Sequence, residues 1–247
     1  MTKTILITGA TAGIGEAAAR RFAAGGWNVI GTGRRAERLR ELGDALGENF
    51  LPLDIDMRDL AAVRSLAELS PPWGDIDLLL NNAGLAPPTD PLPETDWDLL
   101  ETVIETNVTG LVALTRALLP KLTERRGSIV NLSSVAATYP YKGGAVYGGT
   151  KAFVRQFSLD LRSDLGGTGV RVTSIEPGMV ETEFTIVRTG GDKPASDALY
   201  ANMDPMTAED IAETIWWVAN LPPHLNVNTI ELMPVSQSFA GFTVSRD

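Results

Sequence analysis

The sequence predicts an α/β protein in which one parallel sheet is covered by helices on both faces. Three observations carry this. Short apolar and β-branched runs alternate with helical stretches from end to end. A glycine-rich turn stands where the first strand gives way to the first helix. The chain has 247 residues, 44% of them hydrophobic, and no cysteine, so one large core can form without disulfides; a chain of this size buries roughly 70 to 75% of its unfolded surface.

The elements follow in order. Thr4 to Thr8 is the first strand, Gly15 to Ala24 the first helix, Trp27 to Thr32 the second strand and about Ala36 to Leu46 the second helix. Phe50 to Asp54, Leu78 to Asn81, Gly127 to Ser133, Val170 to Ile175 and Asn228 to Met233 complete seven strands. Pro87, Pro88, Pro91 and Pro93 make 85–94 a loop that delivers the chain to a long helix opening near Thr95. The stretch 182–204 shows little period, holds Gly190, Gly191 and Pro194, and reads as an irregular substrate lid near 182–206. Neither repeat nor low-complexity tract divides the chain, so 1–247 is expected to be a single domain.

Composition closes several functional classes. With 21 basic against 31 acidic residues the net charge is -10, which repels nucleic acid and anionic membranes. The first apolar run is too short for a signal peptide and no later one approaches a membrane span, so a cytoplasmic location is expected. With His224 as the only histidine, no Cys/His metal site and no cysteine nucleophile can be assembled.

The turn Thr8-Gly9-Ala10-Thr11-Ala12-Gly13-Ile14-Gly15 suits a dinucleotide phosphate: Gly9, Gly13 and Gly15 let main-chain N–H groups of Thr11, Ala12 and Ile14 come close, and the helix N-terminus faces the anion. The same glycines could serve packing alone. The second strand ends in Arg34 and Arg35, where an acidic residue would hold the ribose of NAD. Two guanidiniums there favour a 2′-phosphate, hence NADP(H), though Arg38 and Arg40 close by leave open a solvated basic helix start. Asp54 closes the third strand, where it could accept from adenine or shape a turn.

Tyr147 and Lys151 stand four apart on one helical face. A phenol is a poor base at neutral pH, and a neighbouring ammonium is expected to stabilise the phenolate and bring it towards working range; a core tyrosine beside a lysine stem is the plainer alternative. Ser134 follows the fifth strand and Asn81-Asn82-Ala83-Gly84 the fourth, so both border the crevice at the carboxyl ends of the strands. Asn107, before Val108-Thr109-Gly110, weakens its helix and predicts a kink with a bound water.

Together the glycine turn, Asn81-Asn82-Ala83-Gly84, Asn107, Ser134, Tyr147 with Lys151, and Pro177-Gly178 resemble the short-chain dehydrogenase/reductase family. Tyr139-Pro140-Tyr141, the run Tyr147 to Ser158, Glu176-Pro177-Gly178 and Met233 to Ser238 are similar to its bacterial NADP-dependent 3-hydroxy acid dehydrogenases, the serine and allo-threonine dehydrogenase group. The resemblance implies a doubly wound Rossmann-like domain and a homotetramer. It also implies Tyr147 as general acid/base, Lys151 lowering its pKa and holding the nicotinamide ribose, Ser134 orienting the substrate oxygen and Asn107 holding a relay water. Asn81, Ala83 and Gly84 would contact the cofactor ribose region, Asp54 and Ile55 the adenine, and Pro177, Gly178, Val180 and Thr182 the carboxamide. Gly148, Gly149 and Thr150 depart from the small Ala-Ser residues usual between the Tyr and Lys.

A 3-hydroxy acid needs a cation for its carboxylate. Arg188 in the lid is the first candidate, with Lys142 and Lys193 behind it. The expected reaction interconverts the 3-hydroxyl of L-serine, L-allo-threonine or 3-hydroxypropionate-type acids with the carbonyl. The rivals are a broad NADPH-dependent ketone or aldehyde reductase and a noncatalytic NADPH-binding sensor. Trp216-Trp217 and the segment 234–242 could finish the core or form a subunit interface.

Overall fold

A computed structural model describes residues 2–238 and Val244. Its sheet is built from β1 (Thr4–Thr8), β2 (Asn28–Gly33), β3 (Phe50–Asp54), β4 (Leu78–Asn81), β5 (Ser128–Leu132), β6 (Arg171–Pro177) and β7 (Thr229–Leu232). The strands are all parallel, in the order β3-β2-β1-β4-β5-β6-β7. The order reverses between β1 and β4, and at such a reversal the two flanking connections part and open a crevice beyond the strand ends.

β1, β2, β4 and β5 are buried along their whole length, which is why Ile5-Leu6-Ile7 and Leu78-Leu79-Leu80 read as unbroken apolar runs rather than as alternation. Their side chains still alternate between two cores. Ile5, Ile7, Val29, Leu78 and Leu80 face one layer, completed by α1 (Gly13–Ala24) and α9 (Ala208–Ala219). Leu6, Ile30, Leu79 and Ile129 face the other, packed by α5 (Leu111–Arg125) and α6 (Ala145–Asp164). α2 (Ala36–Leu46) and the short α3 (Leu60–Ser65) cross over on opposite faces.

The helix expected near Thr95 begins as α4 (Trp97–Ile104), capped by Asp96. Over Glu105–Gly110 it passes into a π turn before α5, so the weak stretch around Asn107 does distort the helix. The irregular lid of the sequence reading is corrected: 182–204 holds two short helices, α7 (Glu183–Arg188) and α8 (Lys193–Tyr200). Thr182 and Asp192 accept from main-chain N–H groups at their starts, and six or eight residues are too few for a helical period to stand out. Main-chain bonds tie the base of this segment: Glu181 N donates to Met206 O at 2.9 Å and Met206 N to Met179 O at 3.1 Å.

Trp216 completes the core, its ring edge-on to Phe22 and near Trp27, whereas Trp217 is exposed. The closing segment 234–242 is described only to Ser238; the rest of it lies outside the described residues. Among the described residues no helix is long and apolar enough to cross a membrane.

Candidate active site

A cavity of about 710 Å³ opens at the carboxyl ends of the strands and runs from the glycine turn to α7. Gly9 adopts φ 71° at the first bend. Gly15 permits a close approach, since a Cβ there would lie 2.2 Å from Gly9 O. Gly9, Thr11, Ala12, Gly13 and Ile14 line the cavity; Gly15 lies behind them as a packing residue and does not. No side chain caps the start of α1, which leaves its first main-chain N–H groups for an anion. That uncapped, glycine-lined cradle fits a dinucleotide phosphate.

Asn82 braces the turn. Its Nδ2 donates to Thr8 O at 2.9 Å and Gly9 O at 3.2 Å, while Thr8 Oγ1 accepts from Asn82 N and Ala83 N at 3.0 Å each. Asn82, Ala83 and Gly84 line the cavity. Asn81 does not, contrary to its expected cofactor contact: its buried Nδ2 donates into the protein, to Thr115 Oγ1 at 2.9 Å and Asn131 Oδ1 at 2.8 Å. Strand alternation turns adjacent residues to opposite sides, so only one asparagine of the pair can serve the crevice.

Arg34 and Arg35 both border the cavity. Arg35 donates through Nε and Nη2 to Thr11 Oγ1 at 3.1 and 2.9 Å, which anchors a guanidinium beside the glycine turn. Ile55 lines the cavity as expected; Asp54 is exposed and stands outside it, and Asp56 lines it instead. A carboxylate at the last position of β3 points past the crevice, whereas the chain beyond it turns in. At the far side Pro177, Gly178, Val180 and Thr182 all line the wall.

Ser134, Tyr147, Lys151 and Arg188 meet at the other end of the same cavity. Ser134 Oγ accepts from Ala136 N at 3.1 Å, which fixes the hydroxyl at the end of β5. A hydrogen bond from Ser134 favours the Tyr147 phenolate, and so does the charge of Arg188, but burial dominates and pushes the phenol up to about 12. Lys151 is also buried, which brings its ammonium down to about 8. Its Nζ donates to Leu132 O at 2.7 Å and lies 5.7 Å from the centre of the Tyr147 ring. The expected lowering of the phenol by this lysine is not what sets it here: the ammonium lies over the ring face, tied to β5, and Ser134 and Arg188 are the groups that favour the phenolate against the larger effect of burial.

Asn107, within the π turn, is buried. Its Nδ2 donates to Leu85 O at 2.8 Å and Thr150 Oγ1 at 3.0 Å, and its Oδ1 accepts from Leu85 N at 2.8 Å. Both amide hydrogens are thus committed to holding the 85–94 loop against α6. A Cβ on Gly84 would lie 3.4 Å from both Asn107 Oδ1 and Lys151 Nζ, so the two groups border one spot.

Arg188 Nη2 donates to the Tyr141 hydroxyl at 2.8 Å and Nε to Pro87 O at 3.3 Å, with its guanidinium carbon 5.7 Å from the Tyr147 ring centre. Of the three candidate cations it alone borders the cavity. Lys142 is exposed and Lys193 pairs with Asp197 one turn along α8, at 2.7 Å. Asn82, Tyr141 and Glu183 are cavity residues given no role from the sequence; Asn82 carried a signal in the Asn-Asn-Ala-Gly run and Tyr141 in Tyr139-Pro140-Tyr141, whereas Glu183 carried none.

Residues 3–191 match the family described as short chain dehydrogenase. The chain belongs to the short-chain dehydrogenase family. It is 61% identical over 251 aligned residues to a serine 3-dehydrogenase of Agrobacterium fabrum, with 100% of each chain covered. It is 53% identical over 245 residues to the NADP-dependent 3-hydroxy acid dehydrogenase YdfG of Escherichia coli (strain K12), covering 98% of this chain and 99% of that one. A solved structure described as the closed form of serine dehydrogenase complexed with NADP+ superposes with a TM-score of 0.94 at 52% identity, covering 99% of this chain and 100% of that chain. Seven parallel strands with helices on both faces are thus the arrangement that the family resemblance implied.

Proposed function

We propose that this chain is an NADP-dependent oxidoreductase that interconverts the 3-hydroxyl of small 3-hydroxy acids, of the L-serine, L-allo-threonine or 3-hydroxypropionate type, with the corresponding carbonyl. The observation that carries this reading is a single cavity joining an uncapped glycine turn and two arginines at one end to Ser134, Tyr147 and the Arg188 guanidinium at the other. Full-length identities of 61% and 53% to a serine 3-dehydrogenase and a 3-hydroxy acid dehydrogenase support it.

The glycine turn and the start of α1 would hold the pyrophosphate, Arg34 and Arg35 the 2′-phosphate, and 177–182 the nicotinamide end. Bound NADP(H) supplies or takes up the hydride. Ser134 orients the substrate oxygen and the Tyr147 hydroxyl, which gives or takes the proton at that oxygen. Lys151, held by Leu132 O, is placed for the ribose hydroxyls, and the spot beside Gly84 that Asn107 and Lys151 share suits a relay water. Arg188 supplies two-pronged hydrogen bonding to the carboxylate. We read 1–247 as one domain with 182–206 as its lid, pinned at the Met179–Met206 main-chain bonds. A homotetramer is the assembly that the family resemblance favours, and a cytoplasmic location is the one expected from the sequence.

The test is NADPH consumption with a panel of semialdehydes and size-matched neutral ketones. Turnover confined to acids supports the reading, equal turnover of ketones makes the chain a general carbonyl reductase, and tight NADPH binding without turnover makes it a sensor.

A further inference from the structure

One carboxylate bridges the arginines at the start of α2. Glu183, the first residue of α7, accepts through Oε2 from Arg35 Nη1 at 2.9 Å and from Arg38 Nη1 at 2.7 Å, and through Oε1 from Arg38 Nη1 at 2.8 Å. Arg35 meanwhile holds Thr11 in the glycine turn. Three segments distant in sequence are therefore joined by one ion cluster at the edge of the cavity. The hydrogen bonds and charges of Arg38 and Arg35 keep the Glu183 carboxyl below its usual range, so it is ionised at neutral pH.

A carboxylate on two guanidiniums uses the same donors that a phosphate monoester would take. The two anions also repel: a phosphate carrying nearly two charges and drawing on Arg35 would bring them to within a few ångströms of Glu183. We propose that Glu183 is a built-in rival of the 2′-phosphate, a specificity-determining residue that holds the arginines and is driven from Arg35 when the phosphate binds. This rests on the NADP reading above.

The consequence reaches the substrate end, because Glu183 and Arg188 lie on the same short helix. Phe184, next to Glu183, has its ring centre 5.9 Å from that of Tyr147, and Arg188 reaches the same tyrosine. With 179–181 tied to Met206, the segment that responds is α7, whose own ties are side-chain bonds from Thr185 to Tyr200 and from Arg188 to Tyr141 and Pro87 O. The 2′-phosphate, which takes no part in the chemistry, thereby sets where Arg188 stands. An unphosphorylated ribose carries no charge to contest the bridge and leaves α7 as it is.

The probes are adenosine 2′,5′-bisphosphate and adenosine 5′-monophosphate, measured by calorimetry at fixed ionic strength on the wild type, Glu183→Gln and Glu183→Ala, together with hydrogen exchange of α7. Glu183 is half-exposed and its surface pairs contribute little to folding, so both variants are expected to fold. Removing the carboxylate should tighten the bisphosphate about tenfold, within the usual range of coupling between sites, and leave the monophosphate unchanged. In the wild type the bisphosphate, and not the monophosphate, should speed exchange across 183–188. A wild type that prefers the bisphosphate while both variants bind it no more tightly, or whose α7 exchange does not respond, overturns the displacement alone. A wild type with no preference for the bisphosphate overturns the NADP reading and this proposal with it.

Discussion

Lys151 donates its ammonium to the carbonyl of Leu132 at 2.7 Å, so the lysine of the Tyr-Lys pair is held by β5, two residues before Ser134. The bond fixes Nζ against the sheet, where it loses water. Desolvation then moves the two partners in opposite directions, Lys151 down to about 8 and Tyr147 up to about 12.

That pair gives stability a signed dependence on pH. Lys151 falls from 10.5 in the unfolded chain to about 8 when folded, so between those values the unfolded chain binds the extra proton and stability rises with pH. The gain is on the order of 3 kcal/mol over the window. Tyr147 opposes it above pH 10, because the folded chain keeps a proton that the unfolded one loses up to about 12. Urea unfolding of wild type and Lys151→Met at pH 7.5 and 9.5 should show a rise in the wild type that the variant lacks. Equal pH slopes in the two proteins would contradict a buried, charged lysine.

Tyr147→Phe removes one oxygen and leaves the ring that packs beside Phe184. Loss of a positioned acid or base costs about 10² to 10⁴-fold in rate. The variant should fold, keep its NADP+ affinity and lose at least about 10² in kcat. Retained turnover in a folded Tyr147→Phe protein would take the proton transfer away from this residue.

What could be read from the sequence was whatever depends on local composition. Strands buried on both faces tend to continuous apolar runs, so β1 and β4 are visible as such, and the glycine turn marks the cofactor end. What escaped depends on direction. Four-residue spacing puts Tyr147 and Lys151 on one helical face but does not say that Nζ turns to Leu132. Adjacent Asn81 and Asn82 look alike until alternation at the end of β4 sends one into the protein and the other to the glycine turn. α7 and α8 are too short for periodicity, and the bridge from Glu183 to Arg35 spans a sequence distance that no motif records.

Arg188 should be a residue of substrate recognition. It donates to Tyr141 and Pro87 O, leaving guanidinium N–H groups for a bidentate carboxylate. Arg188→Ala is expected to raise KM for 3-hydroxy acids about tenfold or more, as for loss of a charge-assisted hydrogen bond, with a small change for neutral alcohols of similar size. Steady-state kinetics on matched acid and alcohol pairs decide it; equal effects on both would remove Arg188 from carboxylate binding.

Gly148, Gly149 and Thr150 stand between Tyr147 and Lys151, where the family resemblance leads one to expect the small residues Ala-Ser, inside α6, and the structure separates the two glycines. A Cβ on Gly149 meets nothing within 4 Å, whereas one on Gly148 would come 3.0 Å from Ala136 O, in the turn that follows Ser134. Glycine in a helix interior costs about 0.5 to 1 kcal/mol relative to alanine. Gly149→Ala should therefore stabilise by about that amount, seen as a higher Tm with unchanged kinetics. Gly148→Ala gains the same helix preference but must push the Val135–Ala137 turn outward, and with it the hydroxyl of Ser134 that Ala136 N holds. Its expected signature is a smaller gain or a loss in Tm together with a fall in kcat. Equal Tm gains and unchanged kcat in both variants would mean that the turn yields freely and that Ser134 is positioned by something other than this contact.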